Sequence, residues 1–131
     1  MFKKLLTLAA VASVVILFSG CSTVTQTNRF NGLHIGEANN VPLAHINTKI
    51  SGFYLLYFIP ICSGDSSIPD KTSLFQDNVK LGNAMDMATA RAKTMGSSRI
   101  IDVYSKDETT YLSGLFFFWT KTVEVSCTAV K

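Results

Sequence analysis

Two histidines, His34 and His45, are the side chains of this 131-residue chain best suited to bind a transition metal. A metal site needs such residues beside carboxylates or thiolates at ligand spacing, and Glu37 alone lies near His34. The sequence contains no nucleophile elbow, no phosphate-binding glycine loop and no His-Glu-x-x-His motif. We therefore expect no metal site and no catalytic residues, so the protein is not expected to be an enzyme.

A cysteine at position 21 follows a segment with the composition of an export signal. Lys3 and Lys4 give a positive start, and residues 5–18 carry no charge. As a helix this run would be about 21 Å long, too short for a hydrocarbon core of about 30 Å. Two small residues then lead into Cys21. The pattern predicts a signal peptide over residues 1–20 that is cleaved after export.

The stretch LFSGC, residues 17–21, resembles the lipobox of small bacterial lipoproteins, which signal peptidase II cleaves before the cysteine. Phe18 departs from the pattern, because an aliphatic residue is usual at that position. The resemblance implies that Cys21 carries a diacylglycerol and an N-acyl chain, which together anchor a protein firmly to a membrane. Because Ser22 stands where inner-membrane lipoproteins have aspartate, the resemblance also implies the outer membrane, with the domain in the periplasm. The resemblance does not indicate which face of the outer membrane the protein occupies.

The other two cysteines, Cys62 and Cys127, would lie in an oxidising compartment if the chain is exported. A disulfide between them would close a loop of about 65 residues and contribute about 4 kcal/mol in the chain-entropy estimate. Cys127 lies on an apolar strand face, however, where a cysteine also serves as a small core residue. The sequence leaves both interpretations open.

Aromatic residues of the mature chain concentrate in two stretches, residues 53–58 and 116–119. They could fill the core between a sheet and a helix. However, three successive phenylalanines place rings on both faces of a strand, and one helix covers only one face of a sheet. Exposed aromatic rings are typical of partner surfaces and of membrane contacts. The candidate interaction surface comprises Phe53, Tyr54, Phe116, Phe117, Phe118 and Trp119.

Periodic patterns predict the elements that hold these residues. Alternation predicts strands over residues 43–50 and 116–130, and apolar or β-branched runs predict strands over residues 53–61 and 99–111. The residues expected to face inward are Ala44, Ile46, Thr48 and Ile50 in the first strand and Val123, Val125, Cys127 and Ala129 in the last. One helix is predicted from the spacing of Leu81, Ala84, Met85, Ala88, Ala92 and Met95, and it ends at Gly96.

These elements predict an α+β fold, a small antiparallel sheet from two hairpins packed against one helix in the order β-β-α-β-β. Residues 22–31 are polar and lack periodicity, which predicts a flexible tether. The chain thus divides into a signal peptide (1–20), a lipidated N-terminus with its tether (21–42) and a periplasmic domain (43–131). Residues 81–103 and the segment SGFYLLYFIPICSGD also resemble small bacterial lipoproteins of uncharacterised function, and no catalytic residues come with that resemblance.

The net charge of +3, which falls to +1 without Lys3 and Lys4, argues against nucleic acid as a partner. We expect a non-enzymatic outer-membrane lipoprotein that contacts the membrane through its lipid anchor. Its expected role is to bind an envelope protein partner in assembly, scaffolding or stress sensing. The alternative is a periplasmic domain that binds a small ligand or a metal in a pocket between helix and sheet.

Overall fold

The computed structural model describes residues 22–28, 41–112 and 117–131. These residues form one antiparallel sheet and one helix, which confirms the α+β class at this coarse level. The predicted order β-β-α-β-β is wrong, because four strands precede the helix. In chain order the elements are β1 (Ser22–Thr27), β2 (Pro42–Leu55), β3 (Ile59–Gly64), β4 (Thr72–Leu74), α1 (Leu81–Thr94), β5 (Arg99–Tyr111) and β6 (Phe118–Val130).

The long strands β2 and β6 form the centre of the sheet and pair along their whole length, from Pro42 opposite Val130 to Leu55 opposite Phe118. The other edge of β2 is shared by two strands placed end to end. β1 pairs with its first half, and β3 pairs with its second half. β4 then pairs with β3, and β5 pairs with β6. The strand order β4-β3-β2-β6-β5 therefore places β4 and β5 at opposite edges of the sheet.

Helix α1 packs across β2 and β6 and covers one face of the sheet. Every residue predicted to face inward from the first and last strands is buried there. The helix contributes Ala84, Met87, Ala88 and Ala92, whereas Leu81 is exposed. The small alanines allow the helix to approach closely enough for the buried Thr48 hydroxyl to lie 3.0 Å from the Ala84 carbonyl oxygen. Helix α1 ends at Thr94, and the glycine predicted to follow its end, Gly96, has a φ of 75°, a left-handed conformation that glycine adopts without strain.

The predicted tether begins as a strand. Residues Ser22 to Thr27 form β1, with Ser22 opposite Ile50 and Thr27 opposite His45. Ser22 is fully buried, and its carbonyl oxygen accepts a hydrogen bond of 2.8 Å from the backbone N–H of Asp70. The threonines of this segment favour extended backbone, but an edge strand lacks the apolar alternation that would have marked it. The rest of the predicted tether, residues 29–40, lies outside the described residues, as does Cys21.

The run of residues 53–61, predicted as one strand, is a hairpin. β2 ends at Leu55, a turn covers Leu56 to Phe58, and β3 begins at Ile59. Leu56 and Tyr57 have φ values of 51° and 74°. Tight hairpin turns require such left-handed residues, which are usually asparagine and glycine. Residue types typical of turns therefore do not mark this turn in the sequence.

The disulfide that the sequence left open is not formed, because the sheet separates Cys62 from Cys127. Cys62 lies opposite Phe53 in β2, whereas Cys127 lies opposite Ile46. Positions 46 and 53 point to opposite faces of β2 and are about 23 Å apart along the strand. No bond joins the two cysteines. Both are buried, and burial raises the pKa of the Cys127 thiol, which is a core residue of the helix-covered face.

Candidate interaction surface

The β2–β3 turn lies at the end of the sheet where β5 ends and β6 begins. Residues 113–116, between β5 and β6, lie outside the described residues. The backbone N–H of Leu56 donates to the carbonyl oxygen of Phe117 at 2.7 Å, so the β2–β3 turn is hydrogen-bonded to the residue before β6. Beside them, the N–H of Leu112 donates to the Phe118 carbonyl oxygen at 2.9 Å. We call the side chains at this end the aromatic tip; they are Leu56, Tyr57, Phe58, Tyr111, Phe117 and Trp119.

The aromatic tip exposes several large apolar side chains. Phe58 is 69% exposed and Phe117 is 61% exposed, and the side chains of Leu56, Tyr57 and Tyr111 are exposed as well. A left-handed backbone at a residue with a side chain costs about 1–2 kcal/mol. The fold bears this cost at Leu56 and Tyr57, and both side chains point into solvent instead of filling the core.

A cluster of rings stiffens the base of the aromatic tip. The Trp119 ring meets Tyr57 edge to face, with centroids 5.5 Å apart, and lies 5.8 Å from the Tyr111 ring. The Lys121 ammonium lies 4.2 Å from the centroid of Tyr57 and 4.4 Å from that of Tyr54. Each such contact contributes about 0.5–1.5 kcal/mol. The rings of Tyr57, Tyr111 and Trp119 are therefore held in place by contacts within the domain.

Tyr54 belongs to the core, so its assignment to the interaction surface is wrong. It is only 1% exposed, and its hydroxyl donates to Asp77 Oδ1 at 2.5 Å. Burial of the ring, together with this hydrogen bond to a carboxylate, raises the pKa of the Tyr54 phenol above its ordinary value. Its even position in β2 points it to the helix-covered face, which the apolar run around it did not reveal.

The other predicted surface residues divide between the tip and the open face of the sheet. Phe117 and Trp119 belong to the aromatic tip, and Trp119 is half-buried. Phe53 and Phe118 are half-buried beside it, while Phe116 lies outside the described residues. The predicted surface did not include three exposed residues of the tip: Tyr57 and Phe58, which were placed inside a strand, and Tyr111, which ends β5.

His45 lies in a polar row across the face of the sheet that the helix leaves open. Its Nδ1 is 3.3 Å from the Thr128 hydroxyl, and its Nε2 is 3.4 Å from the Ser126 hydroxyl. In the same row, the Asn47 amide donates to Glu124 Oε1 at 2.6 Å. Both imidazole nitrogens thus have neighbouring hydroxyls. Within residues 22–28, 41–112 and 117–131, no three His, Cys, Asp or Glu side chains are grouped to hold a metal ion; His34 lies outside these ranges.

An open groove of about 520 Å³ runs along the flank of α1, between the helix, β1 and the loop that joins β3 to β4. Its walls include Val24, Ser67, Pro69, Met87, Ala90 and Arg91. The Arg91 Nε donates to the Gln26 side-chain oxygen at 2.8 Å, which links the helix to β1. The groove lies beside the contact between the helix and the sheet. The pocket expected from the sequence would instead lie between the helix and the sheet.

None of the helices in the described ranges combines the length and the apolar composition needed to cross a bilayer. The chain was also compared with protein-family models, with curated proteins and with solved structures. It matches none of the family models, none of the curated proteins and none of the solved structures.

Proposed function

We propose that this chain is a lipid-anchored bacterial outer-membrane lipoprotein whose domain binds another envelope protein through the aromatic tip. The proposed anchor is the diacylglycerol and N-acyl chain on Cys21, supported by the lipobox-like stretch LFSGC. The observation that carries the interaction role is the exposure of Phe58, on the β2–β3 turn, and of Phe117, whose carbonyl oxygen is hydrogen-bonded to that turn. No catalytic step is part of the proposal.

The composition of the aromatic tip favours a protein partner. Tyrosine and tryptophan are enriched at the energetic centres of protein interfaces, and rings that are already packed lose little freedom on binding. Trp119, held between Tyr57 and Tyr111, has this arrangement. The half-buried Lys121 adds a positive charge at the base of the rings. The fitting partner surface is an apolar groove with a carboxylate at its rim.

The anchor is tested on the full chain expressed in bacteria. Intact mass should show the acyl additions, and membrane fractionation should place the protein in the outer membrane. Cys21→Ser should remove the additions and release the domain from the membrane fraction. An unmodified Cys21 in the wild-type protein would contradict the proposal.

The aromatic tip is tested by photocrosslinking in intact cells. A photoreactive amino acid at Phe58 should crosslink one or a few envelope proteins, whereas the same group at Tyr104, an exposed aromatic site on β5, should not. Adding Phe117→Ser should weaken the Phe58 crosslink without changing the circular dichroism spectrum. Identical crosslinks from both positions, or no effect of Phe117→Ser, would refute the tip as the docking site.

A second candidate function, small-ligand binding, is favoured by the groove beside α1. Its volume of about 520 Å³ falls within the range typical of ligand sites. Native mass spectrometry of the purified protein should then show a bound small molecule that Ala90→Trp, placed in the groove wall, displaces. A wild-type spectrum with no added mass apart from the acyl chains would exclude this candidate.

A further inference from the structure

The position of β1 determines where the proposed lipid anchor leaves the domain. Cys21 is one peptide bond from Ser22, which is fully buried and paired with Ile50. The Ser22 carbonyl oxygen is hydrogen-bonded to the N–H of Asp70, in the loop between β3 and β4. Acyl chains on Cys21 would therefore emerge beside this loop, with no tether between lipid and sheet.

Exposed apolar side chains flank this exit point. Ile68 belongs to the same loop as Asp70, and β4 with the residue after it adds Leu74 and Phe75. Leu74 is 63% exposed and Phe75 is 76% exposed. We call Ile68, Leu74 and Phe75 the anchor-side edge.

The backbone holds the anchor-side edge in place. Phe75 has a left-handed φ of 57°, and its N–H donates to the Ile61 carbonyl oxygen at 3.1 Å. The loop before it is closed by Asp65, whose Oδ1 accepts the N–H of Ser67 at 2.7 Å and whose Oδ2 accepts the Ser73 hydroxyl at 3.3 Å. The Asp65 carboxylate is thus engaged by its own loop. Backbone hydrogen bonds to it lower the pKa of Asp65, which keeps it ionised.

The opposite edge of the sheet carries a charged segment. β5 carries Lys106, Asp107 and Glu108 in succession, all exposed, and Lys106 forms an ion pair with Glu108 at 2.5 Å. Four strand spacings separate β4 from β5, which is about 19 Å. The anchor-side edge therefore exposes large apolar side chains next to the anchor, whereas the charged segment Lys106 to Glu108 is remote from it.

We infer that the anchor-side edge rests on the phospholipid bilayer that holds the acyl chains, with β5 turned toward water. Apolar side chains beside a lipid anchor add to its attachment, since each buries further area in the interface. Lys71, next to Asp70 in the same loop, is exposed and suited to contact lipid phosphates. This inference rests on the proposed lipidation of Cys21, and it adds the orientation of the domain.

The inference is tested with the full lipidated chain in phosphatidylethanolamine and phosphatidylglycerol vesicles. Phe75→Cys and Tyr104→Cys are each labelled with an environment-sensitive fluorophore, and lipids that carry a quencher are added. Tyr104 is the matched control, because it is an aromatic residue 64% exposed on the opposite edge. The labelled wild-type chain gives the background from the buried Cys62 and Cys127.

The label at position 75 should be quenched several-fold more strongly than the label at position 104. Equal quenching at both positions, with the acyl mass present on Cys21, would overturn the orientation and leave the anchor intact. A photoreactive group at position 75 that captures a protein, without quenching by lipid, would make the edge a protein contact and also overturn the inference. A mass without acyl chains would overturn both this inference and the proposed function.

Discussion

The phenol of Tyr54 joins the sheet to the segment that precedes the helix. The ring of Tyr54 fills the core, while its hydroxyl reaches Asp77, three residues before Lys80 at the helix cap. The Asp77 carboxylate also lies 3.7 Å from the Lys80 ammonium. The residue therefore ties β2 to the start of α1 by one charge-assisted hydrogen bond.

Tyr54→Phe should lower the free energy of unfolding by about 1.5 kcal/mol at neutral pH, because hydrogen bonds to charged groups contribute about that much. Urea unfolding followed by circular dichroism measures it. The control Tyr104→Phe removes an exposed hydroxyl and should change the stability little. A loss as large in Tyr104→Phe as in Tyr54→Phe would contradict the role assigned to the buried bond.

The same residue predicts a dependence on alkaline pH. The Tyr54 phenol has a raised pKa in the folded protein, and in the unfolded chain its pKa is about 10. Its contribution is therefore complete below about pH 10 and is lost as the pH rises toward the folded pKa. The free energy of unfolding should fall more steeply above this pH in the wild-type protein than in Tyr54→Phe. Parallel curves would show that the phenol does not contribute.

At the scale of elements, the sheet is closely packed at the point where β2 passes from β1 to β3. Gly52 lies there beneath Val79, the residue just before the helix cap. A methyl group on Gly52 would stand 2.9 Å from Val79 Cγ2 and 3.0 Å from the Cys62 carbonyl oxygen. The segment leading into α1 can therefore cross β2 only over a residue without a side chain.

Gly52→Ala should destabilise the protein by about 1–3 kcal/mol, because the backbone of β3 cannot move aside without breaking its pairing. Gly82→Ala is the matched control, since nothing lies within 4 Å of its added methyl group in α1. That substitution should raise stability by up to about 1 kcal/mol through helix propensity. Thermal unfolding of both variants gives the comparison, and a stable Gly52→Ala protein would contradict the contact.

Elements with one buried face were predictable from the sequence, and elements without one were not. The alternation of Ile46 with its neighbours and of Val125 with its neighbours marked the central strands, because one face of each is covered by the helix. The helix was found, but Leu81 is exposed, and Met87 is the methionine buried in its place in the core. The β2–β3 turn was missed because Leu56 and Tyr57 adopt a conformation that other residue types favour. The aromatic tip depends on that turn, so its members could only be predicted in part.

At the scale of the whole molecule, the protection of backbone amides against hydrogen exchange should decrease from the centre of the sheet toward β5. The central strands are paired on both sides over most of β2, and their inner face is covered. The residues of β5 beyond Ile101 are exposed. Amides of β2 and β6 should therefore exchange with deuterium only on global unfolding, and those of Lys106 to Thr110 should exchange sooner by local opening. Mass spectrometry of peptic fragments measures this, and uniform exchange across β2 and β5 would contradict it.

The overall arrangement of the molecule was the least predictable level. Nothing in the polar composition of residues 22–27 indicated that they would pair with β2, because that pairing joins segments distant in the chain. The possible disulfide was inferred from the presence of two cysteines in a compartment expected to be oxidising. Strand register, however, places Cys62 and Cys127 on opposite faces of the sheet. Register is a property of the assembled sheet and not of either segment alone.

The pairing of β2 with β6 also sets the order in which the domain can fold. His45 and Ser126 are neighbours in the sheet, although 81 positions separate them in the chain. The pairing of β2 with β6 therefore cannot form until residues 118–130 are available. Contacts of such long range in the sequence are typical of slow folding. For a chain that is exported as proposed, this delay has a use. A polypeptide whose central strands can pair only after its C-terminal residues are available stays unfolded while it crosses the inner membrane. It then completes its sheet on the far side.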